Sequence, residues 1–334
     1  MSGPARACRL VLITAAACLL GACTPQTPSV LDARGPAERR VTGLWWLMLW
    51  IAAAVFAVVI VMIVWGIVRG RSRSEEDARR PAPWGEPFVV VAGVGVSAII
   101  LVGLFLLSLR AMQVLAAPGR HDALAVHVVG HDWWWEVRYP NGAVTANEIH
   151  VPSGERVRLV LDAADVIHSF WVPQLAPKRD LIPGRTNELW IEADEPGRYR
   201  GQCAEYCGLQ HAHMAFWVIA QPPSEFGAWL GDQVRPAGAP PSGLAARGRD
   251  VFLTNTCVGC HTIRGTDATG KLGPDLTHLA SRDTIAAATL PNTPDVLAEW
   301  VSDPQDAKPG VSMPPTQLSS SDLQALVAYL RSLR

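Results

Sequence analysis

The chain has 334 residues, 49% of them hydrophobic, and a formal net charge of −1 at pH 7. That length accommodates two domains with separate cores and further segments besides. The charge balance carries no sign of the basic surface that nucleic-acid binding needs, and each of the seven cysteines falls in a segment with another role, which excludes a disulfide scaffold.

At the N-terminus, Arg6 and Arg9 precede the apolar run "LVLITAAACLL", the layout of a secretory signal over residues 1–22. The following "LGAC" resembles the lipobox of bacterial lipoproteins, which makes Cys23 the lipidated residue; the alternative is an idle thiol. Residues 23–43 form an extracytoplasmic segment. Two uncharged apolar runs follow, 44–68 and 88–109, each longer than the ~20 residues needed to cross a bilayer. Trp45, Trp46, Trp50 and Trp65 lie towards the ends of the first run, where interfacial aromatics belong. The two runs make a transmembrane hairpin over 44–110. Between them "RGRSRSEEDARR" carries five arginines, which places that turn in the cytoplasm and everything after about residue 110 outside a bacterial cytoplasmic membrane.

From 118 to 222 the pattern changes to short strands such as "ALAVHVVG", "WWWEVRY", "RVRLVL", "NELWIEA" and "HMAFWVIA", separated by "PNG", "PSGE", "IPGR" and "EPGR". Strands at this spacing without helices predict an antiparallel sandwich or barrel. Within it, "GQCAEYCGLQHAHM" gathers Cys203, Cys207, His211 and Met214 in one loop. Thiolate, imidazole and thioether form a soft set suited to copper. A Cys203–Cys207 disulfide and a structural zinc site are the alternatives, although zinc has little use for a thioether. His168 ends a strand-like run 35 residues before Cys203. In a Greek-key sandwich a strand end and a distant loop can meet at one end.

"GHDWWWEVRYP", "DVIHSFWVP" and the two-cysteine loop, behind a transmembrane hairpin, resemble subunit II of haem-copper cytochrome c oxidases over about residues 30–220. The resemblance implies a cupredoxin domain carrying CuA, two coppers bridged by the thiolates of Cys203 and Cys207. His168 and His211 are then terminal ligands, Met214 is a weak ligand, and the Glu205 carbonyl is another. The Glu205 side chain would face magnesium or manganese at the border with subunit I. Electrons would enter at Trp133, against the alternative that all three tryptophans are ordinary sheet residues. His213 lies outside the implied ligand set, and His127, His131 and His150 are structural. Asp132 stands where the family usually carries glutamine, with a local surface change expected. Glu86 resembles a family glutamate at the mouth of a proton channel, although "WGEPF" around it matches poorly and helix capping is the alternative.

Residues 223–243 are a linker, of which "DQVRPAGAPPSG" is too poor in large apolar residues to pack. Helical periodicity then marks a module over 244–334. "TPDVLAEWVSDP" starts a helix with threonine and proline, and "SSDLQALVAYLRSL" offers Ser321 and Gln324 as a capping box. "CVGCH" is the attachment signature of c-type haem, with thioethers to Cys257 and Cys260 and His261 as axial ligand. Met313 is the only methionine after Met214 and therefore the candidate sixth ligand, with His278 its rival. The module resembles class I cytochrome c, in which Pro274 of "GPDL" would pack against the haem.

These readings predict a multidomain membrane protein: a two-helix hairpin, an all-β cupredoxin domain and an all-α cytochrome c domain. It would pass electrons from cytochrome c or a cytochrome bc complex, through haem c and CuA, to subunit I of an oxidase that also includes subunit III. Oxygen would be reduced to water there, with proton pumping, so this chain holds no catalytic residue of its own. The alternatives are the corresponding subunit of a nitric oxide reductase and a membrane-tethered copper-binding protein.

Overall fold

The computed structural model describes residues 28–70, 85–116, 123–240 and 243–334. The signal segment, Cys23 and the arginine-rich turn lie outside the described residues, as does the side chain of Glu86. Helix α1 runs from Pro36 to Gly70, and helix α2 from Ser97 to Ala116 follows a π-helical stretch at Val89–Val96. Both are long and apolar enough to cross a membrane.

The apolar run of α1 begins at residue 44, but the helix itself begins eight residues earlier. Pro36 occupies its first turn, where a missing N–H costs nothing. That added turn is anchored to the β domain. Arg34 N donates to Gln174 O at 2.8 Å, Asp194 N donates to Arg34 O at 2.9 Å, and Arg39 pairs with Asp194. Residues 36–43 are therefore helix docked on a domain rather than a separate segment.

The β domain is a sandwich of two five-stranded sheets. One contains β1 (Ala125–His131), β2 (Trp134–Arg138), β3 (Val144–Ala146), β5 (Val157–Ala163) and β8 (Asn187–Ile191), in the order β3-β2-β1-β5-β8. The other contains β4 (Glu148–Pro152), β6 (His168–Val172), β7 (Ala176–Leu181), β9 (Gly197–Cys203) and β10 (Ala215–Gln221), in the order β4-β10-β9-β6-β7. Each sheet includes one parallel pair, β1 with β5 and β4 with β10, so the expectation of purely antiparallel pairing is corrected. The long crossovers between sheets bring those strands in with the same direction. Strand β1 alternates as the period of two requires: Val126 and Val128 are buried while His127 is exposed. Strand β7, "APKRDL", gave no such signal because its central residues face solvent.

Trp135 is the centre of this core. Its ring meets Phe216 at 5.1 Å and Phe170 at 5.9 Å, both edge-on. Truncating such a buried aromatic to alanine costs about 3–5 kcal/mol.

The expected linker from 223 begins instead with helix α3, Pro223–Asp232. Phe226 enters the sandwich core and Trp229 stacks on His150 at 3.8 Å, so this helix closes the open face of β4. The stretch after it is also bonded: Ala237 N donates to Arg264 O at 2.8 Å, and the Arg235 carbonyl lies 3.1 Å from His278 Nε2. Backbone hydrogen bonds, with Ala237 packed against the helical-domain core, fix a stretch that has few large apolar side chains to bury.

The helical domain crosses α4 (Leu244–Thr254) against α6 (Ser320–Leu330). At Gly248 the contact is so close that a Cβ would sit 1.8 Å from Ala325 O, so only glycine admits the crossing. Helix α5 (Pro294–Ser302) is capped by Thr293, whose hydroxyl accepts from Val296 N. Helix α6 is capped by Ser319, not Ser321. Ser319 has the extended backbone a cap requires, and its Oγ accepts from Asp322 N at 3.1 Å.

Candidate metal and cofactor sites

Four of the sequence-predicted metal-site side chains are buried together at one end of the sandwich, and His211 closes the group from its rim. Cys203 ends β9, Cys207 and His211 lie in the loop beyond it, Met214 precedes β10, and His168 opens β6. Cys203, Cys207, Met214 and His168 are at most 6% exposed. The two Sγ atoms are 3.8 Å apart. His168 Nδ1 lies 3.9 Å from Cys203 Sγ, and the Glu205 carbonyl oxygen lies 3.2 Å from it. His211 Nδ1 is 3.7 Å and Met214 Sδ 3.8 Å from Cys207 Sγ. The spacing suits donors converging on a shared centre.

Their electrostatics favour a thiolate. The hydrogen bond with Cys207 is the largest influence on Cys203, and with His168 and backbone contacts it outweighs burial and holds that thiol well below its ordinary range. Cys207 is pushed up by the same partnership and by its own burial. The pair thus keeps one negative charge, which a soft cation would draw to both sulfurs.

His168 is aimed from behind. Burial alone would lower it, but Cys203 and Asp165 outweigh that and raise it. Asp165 Oδ1 lies 2.9 Å from His168 Nε2, so Nδ1 is left facing the sulfurs. Asp165 is itself held by Asp132 N and Val166 N, each donating at 2.7 Å. Asp132 is therefore part of the histidine's support through its backbone, rather than a surface substitution alone. Gly130 makes room for the imidazole: a Cβ there would sit 2.7 Å from His168 Cδ2.

The remaining histidines take other positions. His213 is exposed, with Nδ1 2.8 Å from Gln210 Oε1, and His131 stacks on Trp134 at 4.3 Å. The Glu205 carboxylate is 3.3 Å from Lys178 Nζ.

The second site is an apolar cavity of about 460 Å³, walled mostly by the helical domain and lined on one side by Asp132, Trp133, Trp134, Ala146 and Asn147 of the sandwich. Cys257, Cys260 and His261 form one wall, Met313 lies on the lining, and Pro274 does too. His261 Nδ1 lies 2.9 Å from Pro274 O, which leaves Nε2 for the cavity. Burial lowers His261, favouring the neutral ring that a metal needs. Leu276, Leu279, Leu297 and Leu326 supply apolar lining, while Arg282 Nε and Thr284 Oγ1 are buried without protein partners. A flat apolar ring with anionic edges would satisfy both kinds of group. His278 is absent from the lining and lies against Arg235 O.

Trp133 joins the two sites. Its Nε1 donates to Cys207 O at 2.8 Å, and the same residue is part of the lining of the second cavity. It is half-buried rather than exposed, because the helical domain covers it. Sequence reasoning missed Lys308. It is 2% exposed, and burial lowers its ammonium to about 8. It also missed the turn Ala286–Ala288, where three consecutive alanines take positive φ. Neither carries a motif.

The sequence matches "Cytochrome C oxidase subunit II, periplasmic domain" over residues 142–221 and "Cytochrome c" over residues 245–334. Cytochrome c oxidase subunit 2 of Alkalihalophilus pseudofirmus is 43% identical over 64% of this chain. The match spans 62% of that relative's own length, less than two thirds. Cytochrome c oxidase subunit 2 of Bacillus subtilis is 34% identical over 71% of this chain and 70% of its own. Among solved structures, the periplasmic domain of subunit II of cytochrome oxidase (CoxB) of Bradyrhizobium japonicum is 32% identical, with a TM-score of 0.33, covering 35% of this chain and 96% of that one.

Proposed function

Because the chain belongs to the cytochrome c oxidase subunit II family, we propose that it takes electrons from a donor and passes them, through haem c and a dinuclear copper centre, to subunit I of a terminal oxidase. The observation that carries this reading is the placement of Trp133 between the two donor sets, bonded to one and lining the other. Cys203 and Cys207 would bridge the coppers, with His168, His211, Met214 and the Glu205 carbonyl as the other ligands. Cys257 and Cys260 would carry the haem, with His261 and Met313 as its axial ligands. When bound, these groups supply one-electron couples on either side of Trp133.

The chain's own residues do the rest. Burial keeps water from the sulfurs, Asp165 fixes the His168 ring, and Pro274 O fixes the His261 ring. The indole N–H of Trp133 donates to the carbonyl of Cys207, which would give electrons a hydrogen-bonded link into the copper ligand set. The Glu205 carboxylate would face magnesium or manganese at the border with subunit I, where the ion would have to displace the Lys178 ammonium. Subunit I would reduce oxygen and pump protons, with subunit III beside it and cytochrome c or a cytochrome bc complex as donor. The buried sulfurs weigh against a copper-delivery protein, whose ligands must be exposed to exchange.

The test is the complex purified from membranes. A mixed-valence copper EPR signal and a haem c band should accompany the haem-copper subunit. Trp133→Ala should leave both spectra intact and slow electron transfer from haem c to copper by about tenfold or more, an added barrier of over ~1.4 kcal/mol. An unchanged rate would place the route elsewhere, and a copper-free, haem-free complex would end this reading.

A further inference from the structure

Lys308 belongs to the helical domain, yet its Nζ reaches into the copper domain. It donates to Trp133 O at 3.2 Å and to His213 O at 2.9 Å, and also to Ala286 O of its own domain at 3.2 Å. A lysine ammonium has three donors and no acceptor, so three carbonyls from three separate segments satisfy it fully. A buried ammonium without such partners would be strongly unfavourable, so the three segments must stay together for this lysine to stay buried.

The third of those segments is unusual in its own right. Ala286, Ala287 and Ala288 have φ of 53°, 58° and 54°, the left-handed region that alanine rarely adopts. Each of their carbonyls accepts a hydrogen bond at the domain boundary. Ala286 O takes Lys308 Nζ, Ala287 O takes Ala215 N at 3.2 Å, and Ala288 O takes an Arg200 guanidinium N–H at 3.4 Å. Strained backbone persists where its surroundings over-determine it. Here the determining partners come largely from the opposite domain.

We propose that Lys308 and the left-handed turn Ala286–Ala288 are a docking device within the chain, with Lys308 the positioning residue that holds the helical domain on Trp133. The cavity wall and the indole then stay in register without a collision between domains. Further contacts continue the same face: Gln210 Nε2 donates to Pro309 O at 2.7 Å, and Arg198 pairs with Asp283 at the exposed rim. This inference rests on the electron-transfer reading for its consequence but not for the docking itself.

Ala215 N–H reports on the docked state, because its acceptor is Ala287 O across the boundary. In the purified complex, Lys308→Met should leave both absorption spectra unchanged. Exchange of the peptide containing Ala215 should accelerate about tenfold or more, since a charge-assisted bond is lost at each carbonyl. Electron transfer between the domains should slow and become dependent on solvent viscosity, a signature of re-docking that a purely local packing defect would not produce. Asp283→Ala, at the solvent-exposed rim, keeps the inference testable if Lys308→Met fails to assemble; its exchange should accelerate about two- to threefold, the effect of one surface ion pair. Wild-type exchange and a viscosity-independent rate in Lys308→Met, or wild-type exchange in Asp283→Ala if only that variant assembles, would overturn the docking role. Absence of cofactor spectra from the wild type would instead remove the electron-transfer reading and leave docking to be judged by exchange.

Discussion

The two sites solve opposite problems. The copper-domain site is small and preassembled: donors from β6, β9 and the loop before β10 lie within 4 Å of a neighbouring donor, and Asp165 holds one of them from behind. The helical-domain site is a large apolar cavity whose chemistry is concentrated in one turn, Cys257–Cys260, and the histidine after it. A small soft ion adds little packing, so the protein must place its ligands by other means. A large flat ring would itself supply core to the residues that surround it.

The sharpest way to break this comparison is to withhold each guest in turn. Without a guest the apolar walls of that cavity have no packing partner across it. The chain produced without haem attachment should therefore lose its helical domain to protease while the sandwich survives. A resistant helical domain would mean that α4, α5 and α6 sustain themselves.

Cys203→Ser or Cys207→Ser should abolish the dinuclear copper signal outright, because each thiolate would bridge both metals, yet the sandwich around Trp135 should stay folded. A wild-type mixed-valence EPR spectrum in either variant would falsify the bridging assignment. Asp165→Asn should keep the site but weaken copper binding by about 10- to 100-fold, as losing the partner that orients a ligating histidine does. Competition against a chelator measures it, and wild-type affinity would show that Gly130 and the core alone position His168.

The smallest expected effect concerns the docking turn. Ala288→Gly should stabilise the chain by about 1 kcal/mol, because glycine adopts positive φ without the Cβ clash. Denaturant melts of the complex would detect it, and a destabilisation would mean that the Ala288 methyl group packs more favourably than its backbone is strained.

The predictions reach different depths because the residues were legible to different degrees. "CVGCH" and the two-cysteine loop were readable because their ligands are close in sequence and chemically rare. The uncharged runs of α1 and α2 were readable because a bilayer demands length and apolarity from consecutive residues. His168 was legible only as a strand end that a Greek-key sandwich can bring to the cysteine loop, a role the family resemblance then implied, and Asp165 not at all: an aspartate in a loop is common, and its role lies in a 2.9 Å contact with a ring nitrogen. Helix α3 was hidden inside a Pro-rich stretch, since Phe226 and Trp229 reveal their purpose only against His150 and the sandwich.

What the sequence by itself determined is the inventory: two spans, soft ligands in one loop, a haem-attachment turn and a β-to-helix change of period. These depend on side-chain chemistry and on neighbours within a few residues. Only the tertiary structure decided that the two sites share Trp133 and that Lys308 and three alanines hold them face to face. Those contacts run through backbone carbonyls, which every residue possesses, so no residue type announces them until the chain has folded and brought 133, 213, 286 and 308 together.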